Sequence, residues 1–145
     1  MIQFILLVNK QGQTRLSQYT TSMTIRERIT LEGELVRKCL SRTNLQCSFL
    51  EHRKYKIIYR RYASLYFIIG LDVDEECNEL AYLEFIHNLV ETLDKYFENV
   101  CELDIMFNLE KAHIIVQEFI LNGCIVDCNK SNILFPLKTL DKINA

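Results

Sequence analysis

Apolar and polar positions divide the start of the chain into two extended segments and a helix. Ile2 to Asn9 is a nearly continuous apolar run, and a second extended stretch follows a turn at Gly12, a residue that accepts positive φ. Thr24 and Glu27 have the spacing of a capping box. We therefore predict a β-hairpin and then a helix from about Thr24 to Arg42. The apolar positions that recur in it at helical spacing are Ile25, Ile29, Val36 and Leu40.

Three β-rich segments come next, from Cys47 to His52, from Tyr55 to Arg61 and from Ser64 to Asp72. The links between them are the pairs Arg53-Lys54 and Tyr62-Ala63. Links this short join antiparallel neighbours, so these segments are expected to form a meander.

The rest of the chain is predicted to be helical after an acidic link from Asp72 to Glu76. A further helix is predicted after Asn108, and another in the tail from Lys130, where Pro136 must begin or kink it. The helix that directly follows the acidic link comes before both of these. Its apolar stripe is Leu83, Ile86, Leu89, Val90, Leu93, Phe97 and Val100. The order of elements predicts one α+β domain over residues 1–145: a five-stranded antiparallel meander sheet (two strands, helix, three strands) flanked by helices, with extra C-terminal helices.

Composition excludes a disordered chain, because 49% of the 145 residues are apolar and 25% are charged. The longest apolar runs fall short of the roughly 18 residues that cross a bilayer, and no secretion signal precedes them. We expect a cytosolic protein.

Charge is unevenly distributed along the sequence. Residues 1–61 carry 12 Lys/Arg and 4 Asp/Glu, a net charge of +8, whereas residues 62–145 carry 5 and 15, a net charge of −10. Either the two halves attract each other within the fold, or the basic half forms a face for an acidic ligand or an anionic membrane.

The sequence contains no motif for phosphate cradles or metalloprotease sites, and we expect no enzyme, no metal and no cofactor. Among the six cysteines only Cys124 and Cys128 approach metal-ligand spacing. His52, His87 and His113 are scattered and are interpreted as structural imidazoles.

Basic residues alternate with tyrosines between Arg53 and Tyr62, a pattern that could stack nucleotides. Strand alternation instead places Tyr55, Ile57 and Tyr59 together under a helix. With a pI near 5.9, we expect no nucleic-acid partner.

Two long segments, residues 56–67 (KIIYRRYASLYF) and 96–108 (YFENVCELDIMFN), resemble the small sigma subunits of clathrin-type adaptor complexes. The resemblance covers essentially the whole chain and implies a longin-like fold. Residues 8–17 (VNKQGQTRLS), 39–42 (CLSR) and 122–126 (NGCIV) are most similar to the sigma subunit of the fourth adaptor complex. Residues 63–66 (ASLY) and 101–105 (CELDI) also fit the first, clathrin-associated complex, which stays an alternative, as does a free longin module regulating a small GTPase.

The resemblance implies an obligate subunit of a heterotetramer with two large chains and one medium chain. Such a complex is recruited by an Arf-type small GTPase to the cytosolic face of trans-Golgi network and endosomal membranes, as a peripheral coat. It gathers the cytosolic tails of transmembrane cargo into coated vesicles, and thereby serves vesicle-mediated protein transport.

In the family, sigma and a large subunit hold an acidic dileucine signal, and the resemblance carries this site onto matching positions here. Arg15 stands where a cation meets the acidic residue of the signal. The positions that correspond to the leucine pocket are Ala63, Leu65, Val90, Asn99, Val100, Leu103 and Ile105. An apolar slot for two leucines beside a cation is physically coherent. The alternative is that the apolar residues are ordinary core and that Arg15 is a charge on a strand surface.

Overall fold

Five strands and three helices make up the part of the chain that the computed structural model describes, residues 2–42, 49–62, 64–72, 79–98 and 108–119. In chain order they are β1 Ile2–Asn9, β2 Thr14–Tyr19, α1 Ile25–Leu40, β3 Phe49–His52, β4 Tyr55–Tyr62, β5 Leu65–Asp72, α2 Glu79–Phe97 and α3 Leu109–Phe119.

The strands form one sheet in the order β2-β1-β5-β4-β3, and every neighbouring pair is antiparallel. The predicted hairpin and the predicted three-stranded meander are both confirmed, and β1 joins them by pairing with β5. The first meander strand, β3, is described from Phe49, and the start that the sequence predicts for it at Cys47 lies outside the described residues.

Side chains on the two faces of the sheet form two separate apolar clusters. One cluster joins the sheet to α2 and α3, and the other joins it to α1. Tyr55, Ile57 and Tyr59 belong to the α1 cluster, whereas Ile58 belongs to the other. The predicted alternation is therefore confirmed, and the tyrosine face of β4 is packed rather than open for stacking.

A glycine and an aromatic ring fit together at the centre of the sheet. Gly70 pairs with Phe4 across β5 and β1. A Cβ atom built on Gly70 would lie 2.2 Å from ring atoms of Phe4. The Phe4 ring therefore occupies the space that a side chain at Gly70 would need, and it makes an edge contact with Tyr55 at a centroid distance of 5.2 Å.

The capping box that the sequence predicts at the start of α1 is present. Thr24 N donates to Glu27 Oε2 at 3.1 Å, and Glu27 N donates to Thr24 Oγ1 at 3.2 Å. These bonds satisfy two groups that would otherwise be unpaired at the helix start.

The face that α1 buries differs from the predicted stripe in the first half of the helix. Ile25 is 76% exposed and Ile29 is 64% exposed. The buried residues of α1 are Leu31, Leu35 and Cys39. The predicted residue Val36 is partly buried and packs against the same cluster as Leu31, Leu35 and Cys39, so the prediction fails at the start of the helix and holds at Val36.

The stripe predicted for α2 is confirmed at Ile86, Leu89, Val90 and Leu93, all of them buried, and Phe85 joins them. In α3 the buried residues are Ala112, Ile115 and Val116, while Leu109 at its start is 40% exposed. The predicted tail helix from Lys130 lies outside the described residues.

Charge follows the layers of the fold. From their sequences, α1 carries a net charge of +1, whereas α2 and α3 on the opposite face together carry −4. The acidic helices α2 and α3 therefore lie on one face of the sheet, and α1, with a net charge of +1, lies on the other.

Candidate functional site

The predicted leucine pocket begins where β5 starts beside α2. Leu65 is 2% exposed and Val90 is 4% exposed, and both belong to the cluster between the sheet and α2. The structure therefore brings these two predicted residues together, as buried side chains. The other predicted pocket residues, Ala63, Asn99, Val100, Leu103 and Ile105, lie outside the described residues.

Arg15 is held by a polar network at the same end of the sheet. Arg15 Nη2 donates to Gln13 Oε1 at 2.8 Å, and Asn9 Nδ2 donates to the same oxygen at 3.0 Å. Asn9 is 1% exposed, and its Oδ1 accepts from Gln13 N at 2.8 Å. The buried Asn9 thus fixes the turn after β1 and, through Gln13, the orientation of the guanidinium.

Backbone register relates this network to Leu65, because Asn9 and Leu65 are paired across β1 and β5. Arg15 lies on β2, two strands from β5, a separation of about 10 Å at the usual strand spacing. Its neighbour Leu16 is buried in the cluster that contains Leu65, so strand alternation directs Arg15 to the other side of the edge strand. An extended peptide would have to cross this edge to contact both Arg15 and Leu65.

A second network of hydrogen bonds connects β4 to α2 beside Leu65. The Tyr62 hydroxyl lies 3.0 Å from His87 Nδ1, and His87 Nε2 lies 2.6 Å from Glu91 Oε1. A carboxylate only accepts, so Nε2 carries a hydrogen, and in the neutral ring Nδ1 accepts from the Tyr62 hydroxyl. Tyr62 is paired with Leu65 across the turn between β4 and β5. This hydrogen-bond network therefore ties α2 to the sheet at the predicted pocket.

Sequence reasoning missed these partners. The sequence predicted His52 and His87 to be structural imidazoles without indicating their partners, and the structure places Glu34 beside His52 and Glu91 beside His87. His87 and Glu91 are four residues apart on a helix, a spacing that could have revealed the pair. Nothing in the sequence indicates the contact between Tyr62 and His87, which are 25 residues apart.

At the opposite end of the sheet, Glu34 of α1 holds the turn between β3 and β4. Its Oε2 lies 2.6 Å from His52 Nε2, and its Oε1 accepts from Arg53 Nη2 at 2.6 Å. Desolvation opposes the charged form of Glu34, but the hydrogen bond from His52 and the charge of Arg53 outweigh it and lower the pKa of this carboxyl.

Burial raises the pKa of two titratable groups that pack in the α1 layer. Burial raises the pKa of the Cys39 thiol to about 12. Burial also raises the pKa of Tyr19, whose hydroxyl donates to Glu32 Oε1 at 2.7 Å. Both groups are packing residues of the α1 layer.

Within the described ranges, no group of three or more His, Cys, Asp and Glu side chains is placed to hold a metal ion. Cys124 and Cys128 lie outside these ranges. Of the helices in the described part of the chain, none has the length and apolar character needed to span a membrane.

Comparison with known proteins gives matches over nearly the full length. The family model described as clathrin adaptor complex small chain matches residues 1–144. The AP-4 complex subunit sigma of Arabidopsis thaliana is 66% identical over 141 residues, 97% of both chains. The AP-4 complex subunit sigma-1 of Homo sapiens is 56% identical over 144 residues, 99% of both chains.

A chain from a homology model of the full-length AP-3 complex in a stretched open conformation has the same fold, with a TM-score of 0.77 and 29% identity over 99% of this chain and 95% of that one. The antiparallel sheet with helices on both faces is thus the longin-like fold of an adaptor small chain. On these matches, the chain belongs to the small-chain (sigma) family of clathrin adaptor complexes, and it is similar to the AP-4 sigma subunits within that family.

Proposed function

We propose that this chain is the sigma subunit of an AP-4-type heterotetrameric vesicle-coat adaptor. The observation that carries the proposal is identity of 56% to 66% to AP-4 sigma subunits over 97% or more of the chain. As a single domain it stabilises the core of the complex by docking on a large subunit, without catalysing a reaction. The complex works at the cytosolic face of trans-Golgi network and endosomal membranes, where an Arf-type GTPase recruits it.

Exposed apolar side chains support a docked subunit. On α1, Ile25 is 76% exposed and Ile29 is 64% exposed. On the opposite layer, Leu80 is 69% exposed and Leu109 is 40% exposed. Contact of both layers with a surrounding large chain would remove these four side chains from water.

We further propose that the end of the sheet near Leu65 takes an acidic dileucine-type signal. Burial of two leucine side chains would contribute about 3 to 6 kcal/mol before ordering costs, so binding by a single site is weak and avidity on a membrane decides selection. Arg15, oriented by Gln13, would meet the acidic residue of the signal on the outer side of β2.

Binding at this place requires a change of the conformation seen here. Leu65 and Val90 expose only 2% and 4% of their surfaces, so they offer little area to a ligand. The proposal is that the part of α2 up to Val90 separates from the start of β5 when the signal enters. The apolar residues predicted outside the described ranges, including Val100 and Leu103, would complete the slot.

Assembly is tested first, by co-expressing the chain with large chains of the different adaptor types. Co-purification with an AP-4 large chain in a fixed ratio is the expected result. Co-purification with the large chain of the first complex instead would favour that alternative. A stable free monomer that binds none of them would favour a regulator of a small GTPase and would reject the coat-subunit proposal.

The signal site is tested on the assembled complex with a dileucine peptide. Arg15→Glu and Val100→Asp should each abolish capture of the peptide and leave assembly intact. Lys10→Glu changes charge by the same amount as Arg15→Glu at an exposed turn and should capture the peptide as the wild type does. Unchanged capture by Arg15→Glu and Val100→Asp would reject the site without affecting the assembly proposal.

A further inference from the structure

A cavity of about 650 Å³ lies between the start of α1, the start of β1 and the turn between β3 and β4. This is the opposite end of the sheet from Leu65. Its volume falls in the range of about 300 to 1,000 Å³ that is usual for small-molecule sites. The dileucine proposal gives it no role.

Cations from two separate elements surround the cavity. Arg26 comes from the first turn of α1, and Arg53 and Lys54 come from the turn between β3 and β4. All three are exposed. Within the described part of the chain, neither Arg26 nor Lys54 forms an ion pair, and Lys54 Nζ lies 5.5 Å from the centroid of the Tyr55 ring. The acidic lining residue is Glu27, whose Oε2 already accepts from Thr24 N.

The floor and the remaining lining complete an amphipathic site. Leu31 and Tyr55 are 3% and 6% exposed and give an apolar base. Thr21 and Ser22 add hydroxyl groups at the side. Guanidinium and ammonium groups beside hydroxyls match the oxygens of phosphate, and the hydroxyls also match those of a polyol.

Each wall of the cavity is fixed by hydrogen bonds. Thr20 Oγ1 donates to the carbonyl oxygen of Ile2 at 2.7 Å and ties the loop before α1 to β1. The capping box fixes the first turn of α1. Arg53 adopts a φ of 55°, in the left-handed region that non-glycine residues rarely occupy, and its bond to Glu34 holds it there.

We propose that this cavity binds an organic phosphate: a small polyol that carries two phosphate monoesters, one facing Arg26 and the other facing Arg53 and Lys54. Fixed walls lower the ordering cost of binding. Arg26 and Lys54, together with Arg53, which Glu34 already pairs, favour a phosphorylated ligand over a neutral one. The same chemistry occurs in a soluble inositol phosphate and in the headgroup of a phosphorylated inositol lipid.

The test measures binding of a soluble inositol bisphosphate by calorimetry to the full chain, assembled with the large chain with which it co-purifies. The double variant Arg26→Gln with Lys54→Gln should bind about tenfold more weakly, as expected for the loss of two charged partners. Lys10→Gln removes one charge at the far end of β1, about 20 Å away, and should bind as the wild type does. If the double variant does not assemble, Lys54→Gln alone is measured and should still weaken binding.

A second arm uses phosphatidylcholine vesicles with and without a phosphorylated inositol lipid. Binding that requires both the lipid and Arg26 with Lys54 identifies a membrane headgroup as the source, and binding of the soluble compound alone identifies a free metabolite. No binding in either arm would overturn the proposal. The proposal would also be overturned if Lys10→Gln weakened binding as much as the double variant does. It would likewise be overturned if an acidic peptide without phosphate bound as tightly as the inositol bisphosphate, or more tightly.

Discussion

The hydroxyl of Tyr62 lies 3.0 Å from Nδ1 of His87 and links the last residue of β4 to the middle of α2. Glu91 accepts from the other nitrogen of the same ring. Because α2 carries Val90 and packs over Leu65, this short series of hydrogen bonds helps to keep those two side chains buried.

Tyr62→Phe removes this hydroxyl and keeps the ring, which packs edge-on against Phe67. The expected loss of unfolding free energy is about 0.5 to 1 kcal/mol, since the bond is exposed to water. Urea denaturation measures it. Tyr66→Phe removes a hydroxyl from the neighbouring strand as the control, and an equal loss there would contradict a specific role for the bond to His87.

Gly70→Ala should destabilise the fold strongly, because the new Cβ would lie 2.2 Å from the Phe4 ring. The expected loss is about 1 to 3 kcal/mol, from displacement of the packed ring. Combining Gly70→Ala with Phe4→Leu should cost less than the sum of the two single changes, because they share one contact. Thermal and urea unfolding of the three variants test this, and strict additivity would show that the contact is not the cause.

Gly33→Ala should have the opposite sign and is the matched comparison. Gly33 lies within α1, where an added Cβ would be 3.9 Å from the flexible guanidinium of Arg37. Removing the conformational freedom of glycine from a helix interior should raise the unfolding free energy by about 0.5 to 1 kcal/mol. Destabilisation by this change would mean that the space beside Gly33 is occupied in solution.

Glu34→Gln should change how stability depends on pH. The pKa of Glu34 is lower in the folded chain than its ordinary value of 4.5, so its contribution is complete above that value and is lost as pH falls through the folded pKa. The difference in unfolding free energy between wild type and variant should therefore be largest near neutral pH and shrink in acid. Urea titrations from neutral pH to about pH 3 measure it. Glu51→Gln, at an exposed carboxyl, is the control, and a constant difference for Glu34→Gln would contradict the lowered pKa.

Cys39 should resist alkylation in the native chain. It is 1% exposed, and its raised pKa of about 12 keeps it a thiol at neutral pH, whereas the thiolate is the reactive form. Peptide mapping after iodoacetamide treatment should find Cys39 modified only when urea is added. Modification in native buffer at the rate of a short peptide of residues 37–42 would show that α1 opens readily.

Local signals in the sequence predicted those parts of the fold that depend on neighbouring residues. The Thr24 and Glu27 box lies within one turn, and the short links around β4 leave little choice of strand direction. Which stripe of α1 faces the sheet is a tertiary choice between Ile29 and Leu31, and periodicity alone does not decide it. The pairing of β1 with β5 also depends on the whole sheet rather than on any link.

The candidate site shows the same division. The resemblance assigned Leu65 and Val90 to one leucine pocket, and the structure places both side chains in one apolar cluster. It did not indicate that Arg15 is held by Gln13, or that Tyr62 bonds His87, because these partners come from side-chain geometry across strands and helices.

The pairing of the first strand with the last one has a consequence for synthesis. β1 is an interior strand, with a neighbour on each side, yet one of these neighbours, β5, is not complete until Asp72 has been made. A nascent chain emerging from the ribosome can form the opening hairpin but must hold the other edge of β1, with its unpaired N–H and C=O groups, until about fifty further residues have been added. During that interval the nascent chain exposes an unpaired, apolar strand edge, which a chaperone at the ribosomal tunnel exit could bind.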